Sequence, residues 1–336
     1  MTCELAICTR TRDDLHSKSV AAAYDPAATC PTWLSFLQFV CGGDPELVAY
    51  LHRALGYSLT GLTTAKCLFF VFGIGQTGKT TLFELIRRLL GGYAVSIDAR
   101  VVLASGESDH PTAKGARFVV ASEPNEGAAW NEGPVKSLTG GDQLRARRMG
   151  QDFFRFDPTH KLWFAANHQP TLSSVGKAMR RRLRLVPFSA PISDSRRDDK
   201  LPDKLWEERE GILAWLVVGC QAWLAQGLGS ATAIEAATDG YFAEQDRVGR
   251  FLLETFTTGS TDDPRYWTES ATVFARWQQW CAGEGIQAKD PSWLNRHLAE
   301  RGLPCAAKTV TRRRHILGLR VLSPPAVLPL SLDALL

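Results

Sequence analysis

From Pro31 onward, apolar positions first recur with helical spacing. Trp33, Phe36, Leu37 and Val40 form one stripe. Asp44-Pro45-Glu46 then supplies an N-cap, a first-turn proline and a first-turn acid ahead of Leu47, Leu51 and Leu55. The pattern changes to four short, unbroken apolar runs: Leu68 to Phe72, Phe118 to Ala121, Leu162 to Ala166 and Leu183 to Val186. Each is bounded by Gly, Pro, Asn or charge, as strands buried on both faces are, so a parallel-sheet α/β core is expected. Helical spacing returns over Lys204 to Ala225 and from about Ile234 to Phe256. Thr261-Asp262-Asp263-Pro264 reads as a linker, followed by helices at Thr268 to Cys281 and Asp290 to Arg301 and a hairpin over Thr309 to Val321. The expected organisation is a loose N-terminus (1–25), a helical lead-in (26–62), an α/β core with trailing helices (63–258), a C-terminal domain (265–322) and a tail (323–336).

Composition adds exclusions. With 336 residues, 45% apolar and 22% charged, the chain has the make-up of a folded protein. Its longest apolar run, Ile212 to Ala225, is broken by Gln221 and falls short of the roughly 18 residues that suggest a bilayer span. No secretory signal opens the sequence, and the eight cysteines contain no C-x2-C pair, so a cytoplasmic protein with reduced thiols is expected. The net charge of +4 is small, but its distribution is uneven. Between Lys136 and Arg184 there are eleven Lys and Arg against three Asp. Near the end, Arg296, Arg301, Lys308, Arg312, Arg313, Arg314 and Arg320 face only Glu300. Either segment could be an anion-binding surface or a solvated basic face.

Gly73-Ile74-Gly75-Gln76-Thr77-Gly78-Lys79-Thr80 fits G-x4-G-K-[ST], with an apolar strand before it and an amphipathic helix, Leu82 to Leu90, after it. Such a loop wraps phosphates with backbone N–H groups from Gly73, Gly75, Gln76, Thr77, Gly78 and the first helical residues, through Thr81. Lys79 supplies positive charge, and the Thr80 hydroxyl can ligate Mg2+. ATP with Mg2+ is the expected ligand. The second strand ends in Glu123, with Glu126 close behind, either of which could serve the metal or the attacking water. The third ends in Asn167, suited to sensing a γ-phosphate, and Arg180-Arg181-Arg182 stands before the fourth.

Taken together, these strings resemble the superfamily 3 helicases, specifically the helicase portion of the phage and plasmid primase-helicase family related to the poxvirus primase-helicase. The resemblance runs from about Asp25 to Arg320. It includes Cys30 to Leu34, Gly56 to Gly61, Arg117 to Glu123, Lys136 with Leu138-Thr139-Gly140-Gly141-Asp142, Lys161 to Pro170, and Arg181-Arg182-Leu183 up to Phe188. It implies an AAA+-like P-loop core and a DNA helicase, assembled as a hexameric ring that hydrolyses ATP between subunits while moving on single-stranded DNA. By position, Lys79 and Thr80 look like the Walker A lysine and metal ligand, Glu123 like the Walker B acid and Asn167 like the sensor. Arg182, with Arg181 as the alternative, looks like the arginine finger reaching a neighbouring subunit. Arg145, Arg147 and Arg148 fall where the family places its DNA-contacting hairpin, and the C-terminal helix-helix-hairpin resembles a winged helix.

Three positions depart from the family pattern: Thr77 where Asn is common, Pro124-Asn125 between the two acids, and a short stretch from Ala99 to Gly115. No carboxylate set for nucleotide polymerisation is evident, so primase activity is not expected of this chain; a separate primase or other replication proteins are candidate partners, and the sequence does not say whether a primase acts with it. Two other roles compete: an origin-binding or loading ATPase without processive unwinding, and an inactive accessory subunit of a replication complex.

Overall fold

The computed structural model describes residues 11, 13, 17–103, 113–122, 128–147, 151–172, 175–192, 197–307 and 313–322. Helices α1 (Pro31–Val40) and α2 (Pro45–Tyr57) precede strand β1 (Leu68–Phe72) and helix α3 (Lys79–Leu90). Strand β2 (Ala94–Asp98), the short helix α4 (Arg100–Leu103) and strand β3 (Phe118–Ser122) follow. Then come helix α5 (Glu132–Gly140), strands β4 (Leu144–Arg147), β5 (Phe153–Phe156) and β6 (Lys161–Ala166), helix α6 (Lys177–Arg180) and strand β7 (Leu183–Pro187). Helices α7 (Leu201–Glu207), α8 (Arg209–Gln226) and α9 (Thr232–Gln245) complete the first of two units, which ends at Gln245.

Five strands form a parallel sheet in the order β2-β3-β6-β1-β7. The four expected strands are its buried members, and their lack of polar alternation has a direct cause. Phe69, Val71, Phe118, Val120, Trp163, Ala165 and Val186 pack into one cluster with α1, α2, α3 and α8. Leu68, Phe70, Val119, Ala121, Leu162, Phe164, Leu183 and Leu185 pack into a second, with α5, the β4–β5 pair and α9. Both faces are therefore covered. The fifth strand, β2, went unrecognised in the sequence. It is an edge strand with only half-buried and exposed positions, so it carries no continuous apolar run.

Two long helical readings are each broken. Lys204 to Ala225 divides at Glu208, whose carboxylate accepts the Thr32 and Trp33 N–H groups at 2.9 and 3.0 Å and so caps α1 instead. Ile234 to Phe256 divides at Asp246, the N-cap of helix α10 (Arg247–Thr255), where its side chain accepts the Gly249 N–H at 2.8 Å.

Helix α10 opens the second unit, Asp246–Leu336, whereas the sequence drew the edge of the core at residue 258. This unit continues through β8 (Phe256–Thr258), β9 (Trp267–Glu269), α11 (Ser270–Gly283), α12 (Pro291–Ala299), β10 (Cys305–Ala307), β11 (Arg314–Leu317) and β12 (Leu319–Val321). Its core gathers Phe251, Trp277, Cys281, Leu294, Leu298 and Ile316. The expected hairpin over Thr309 to Val321 is corrected. Strand β11 pairs with β10 and β9, while β12 pairs with β8, because Gly318 (φ +87°) turns the chain between β11 and β12 into two different sheets. The C-terminal basic excess is also partly neutralised: Arg313 pairs with Glu269 at 2.8 Å and Arg301 with Asp246 at 2.5 Å.

One buried cation belongs to the frame of the first unit. Lys161, at the start of β6, is 2% exposed. Its amine donates to the Thr60 carbonyl and to Thr60 Oγ1 (3.1 Å) and lies 4.4 Å from the centroid of the Tyr57 ring. Burial, assisted by the nearby Arg117 charge, lowers its pKa to about 7. Between pH 7 and the ordinary lysine value the unfolded chain binds the proton and the folded chain does not, so stability should rise with pH across that window. Lys161→Met removes this dependence. Its stabilising effect relative to the parent should therefore be greater at pH 6 than at pH 9 by roughly 2 kcal/mol, read by parallel denaturant melts. Equal effects at both pH values would mean that the amine does not titrate in this window.

Candidate nucleotide cleft and basic hairpin

The loop between β1 and α3 is shaped by residues that only this sequence pattern allows. Gly78 has φ +85°, and a Cβ there would lie 2.8 Å from Val40 Cγ1. A Cβ on Gly73 would approach the Phe188 carbonyl oxygen to 2.2 Å, so the chain can pass β7 at this point only as glycine. Gln76 also adopts a positive φ of 61°, and its carbonyl accepts the Ile192 N–H at 2.9 Å, which ties the loop to the segment after β7.

Within this loop the Lys79 amine donates to Gly73 O (2.8 Å), Ile74 O (3.2 Å) and Thr77 Oγ1 (3.0 Å). Lys79 is only 8% exposed, and Thr77 is fully buried beneath it. The loop and the start of α3 line a cleft of about 510 Å3 from Gly75 to Thr81. Asn167, directly after β6, lies on the same cleft, brought there by the register that sets Phe72 beside Ala166. The structure thus collects Gly75, Gln76, Thr77, Gly78, Lys79, Thr80, Thr81 and Asn167 in one place. Strand β3 ends at Ser122; Glu123 and Glu126 lie outside the described residues, as does Arg148.

The rest of the cleft lining was not foreseen. Ile192, Arg197, Asp198, Asp199, Leu201 and Pro202 also line the cleft. Arg197 pairs with Asp199 at 2.8 Å, and Asp198 binds the Lys204 amine at 2.6 Å. The available signal was slight: Asp198 two residues before Lys200, ahead of Leu201-Pro202 at a helix start.

Arg182 sits elsewhere. It precedes β7, whereas the loop follows β1, and these strands run parallel with Leu68 beside Leu183 and Phe72 beside Pro187. A five-residue strand spans roughly 16 Å, so Arg182 and the Lys79 loop are at opposite ends of these neighbouring strands. The Arg182 guanidinium donates to Thr139 Oγ1 (3.1 Å) on α5 and to Ala178 O (3.0 Å). Arg181 is exposed.

Strands β4 and β5 are antiparallel, with Arg145 opposite Arg155 and Arg147 opposite Phe153. Leu144, Ala146, Phe154 and Phe156 turn inward to the second core cluster, which leaves Arg145, Arg147, Phe153 and Arg155 on the outer face. Three of the eleven cations between Lys136 and Arg184 are engaged within the chain. Lys136 pairs with Glu132 at 2.8 Å, Arg180 pairs with Asp239, and Lys161 is buried.

Comparison with known proteins adds a second line of observation. Residues 71–182 match a family of unknown function, DUF5906. Three viral proteins, each named "Putative helicase", are similar in sequence. L207/L206 of Acanthamoeba polyphaga mimivirus is 25% identical over 242 residues, 64% of this chain and 25% of its own length. Protein 022R of Frog virus 3 is 29% identical over 151 residues, 42% of this chain and 16% of its own. Protein 184R of Invertebrate iridescent virus 6 is 27% identical over 241 residues, 66% and 24% respectively. The chain therefore spans a quarter or less of these relatives. Among solved structures, the apo C-terminal region of NrS-1 superposes with a TM-score of 0.59 over 88% of this chain and 77% of that one, at 11% identity, which establishes likeness of fold. The chain is helicase-like in sequence and shares its mixed α/β fold with that region. Among the described residues, no helix is long and apolar enough to cross a membrane.

Proposed function

We propose that this chain is the motor part of an ATP-driven DNA helicase of the superfamily 3 type, cleaving ATP at seams between copies arranged in a ring, most simply a hexamer. The observation that carries the reading is the convergence of the glycine loop, the buried Lys79 and Asn167 on one cleft.

The residues present fit a nucleoside triphosphate with a divalent cation. Gly75, where a Cβ would meet nothing within 4 Å, leaves room for close backbone approach, and the loop opens onto the N-terminus of α3, whose dipole favours anions. The Lys79 amine already points among loop oxygens and would exchange Gly73 O and Ile74 O for phosphate oxygens. Thr80, exposed at the first turn, and Glu123, next in sequence after β3, would hold Mg2+, which when bound offsets charge developing on the phosphates. Asn167 would orient the terminal phosphate or a water beside it.

On the same reading the outer face of the β4–β5 pair follows the DNA strand, with Arg148 added from the sequence. The second unit, with its strand-helix-helix-strand-strand order, serves as a winged-helix-like module. A separate primase would act as a partner.

A forked-DNA strand-displacement assay with ATP tests the activity directly. Nucleotide-dependent unwinding is expected; DNA-stimulated hydrolysis without displacement would point to a loading ATPase, and binding without turnover to an accessory subunit. Arg147→Ala should weaken single-stranded DNA binding irrespective of sequence and lower the slope of log K against log salt by about 0.7 to 1, the amount set by one phosphate left without its cation. An unchanged slope would place the hairpin away from the nucleic acid.

A further inference from the structure

We propose that Phe153 is a base-stacking platform, so that the β4–β5 hairpin grips unpaired nucleotides through their bases as well as their phosphates. This rests on the reading of the hairpin as the DNA-contacting element, and it assigns a role to a residue that neither the motif nor the charge pattern singles out.

The four outward positions of the hairpin are Arg145, Arg147, Phe153 and Arg155, and only one of them is apolar. Phe153 is 41% exposed although its neighbours Phe154 and Phe156 turn inward. The inward face is already filled by Leu144, Ala146, Phe154 and Phe156, so core packing gives no reason for a phenyl ring outside. The ring lies across β4. Its centroid is 3.6 Å from the guanidinium carbon of Arg145 and 4.9 Å from that of Arg147. The guanidinium groups lie over the ring and hold it in place, and a guanidinium plane is itself a surface on which a base can stack.

This surface selects its occupant. Three arginines repel cationic ligands and attract an anionic backbone, while the half-exposed ring and the guanidinium stacked on it offer a flat surface to a flat, uncharged group. A single strand of nucleic acid carries both features at the spacing of one nucleotide, with its bases free to stack. A duplex keeps its bases within the helix and could use only the arginines.

The test compares Phe153→Ala with the parent chain on three probes of equal length: an oligo-dT strand, an abasic strand with the same phosphates, and a blunt duplex. Fluorescence anisotropy across a salt series supplies affinity and salt slope together. Phe153→Ala should weaken oligo-dT binding about 5- to 100-fold with the salt slope unchanged, leave the abasic strand and the duplex unaffected, and be rescued by Phe153→Trp. An equal loss on the abasic strand, or no loss on oligo-dT, overturns the stacking role. Melting curves exclude misfolding as the cause, since the ring lies outside the core. If instead Arg145→Ala/Arg147→Ala leaves all three probes bound as before, the hairpin itself is not the DNA site, and the failure belongs to the underlying reading.

Discussion

Lys79→Ala is expected to reduce ATP turnover to background, by at least about 10²- to 10³-fold, the cost of losing one charged donor at a phosphoryl-transfer centre. The structure makes substitution by a neighbour difficult. Among the residues lining the cleft, Arg197 is the other cation, and it is held by Asp199. Stability should fall modestly, because the buried Thr77 Oγ1 loses its donor while Gly73 O and Ile74 O lie in the surface loop, where water can replace the amine. Phosphate release, measured with and without single-stranded DNA and alongside a melting curve, checks both statements. Near-parental turnover would remove the loop from the chemistry.

The second large effect concerns Arg182. Its position at the strand ends away from the cleft means that it cannot serve the Lys79 of its own chain. Arg182→Ala should cost roughly 10³- to 10⁵-fold in turnover, as loss of an arginine finger does, with nucleotide binding retained. Mixing provides the sharper test. Arg182→Ala and Lys79→Ala chains, each inactive alone, should regain turnover together, because a seam formed by the intact Lys79 of one and the intact Arg182 of the other is complete. Without recovery on mixing, Arg182 is left as a structural residue that braces Thr139 and Ala178, and the seam must use another group such as Arg181.

What could be read in advance follows from what local sequence encodes. Strands buried on both faces announce themselves as apolar runs, and the glycine loop is a string with its own geometry, so β1, β3, β6, β7 and the Lys79 side of the cleft were legible. Edge strand β2 was not, since its Ser96 and Asp98 face solvent and its pairing with β3 depends on residues some twenty-five positions away. The break at Glu208 was hidden for a similar reason: its carboxylate caps a helix that lies 176 residues earlier. The remaining lining of the cleft, Ile192, Arg197, Asp198, Asp199, Leu201 and Pro202, carries no motif, and Ile192 is joined to the loop by its hydrogen bond to Gln76. Phe153 has no charge to mark it out between the arginines, although strict alternation along β4 and β5 would have set it beside them.

Gly56 and Gly219 bring α2 and α8 so close that a Cβ on Gly56 would meet the Cys220 backbone nitrogen at 2.2 Å, and one on Gly219 the His52 carbonyl oxygen at 2.2 Å. Through that approach the first helices share one interior with Phe69, Trp163 and Leu82. The segment matched by the family of unknown function, residues 71–182, is consequently no self-sufficient folding module. Expressed by itself it would offer Trp163, Leu82 and Ile86 to water, and the shortest fragment worth purifying must begin ahead of Pro31 and extend beyond Ile234.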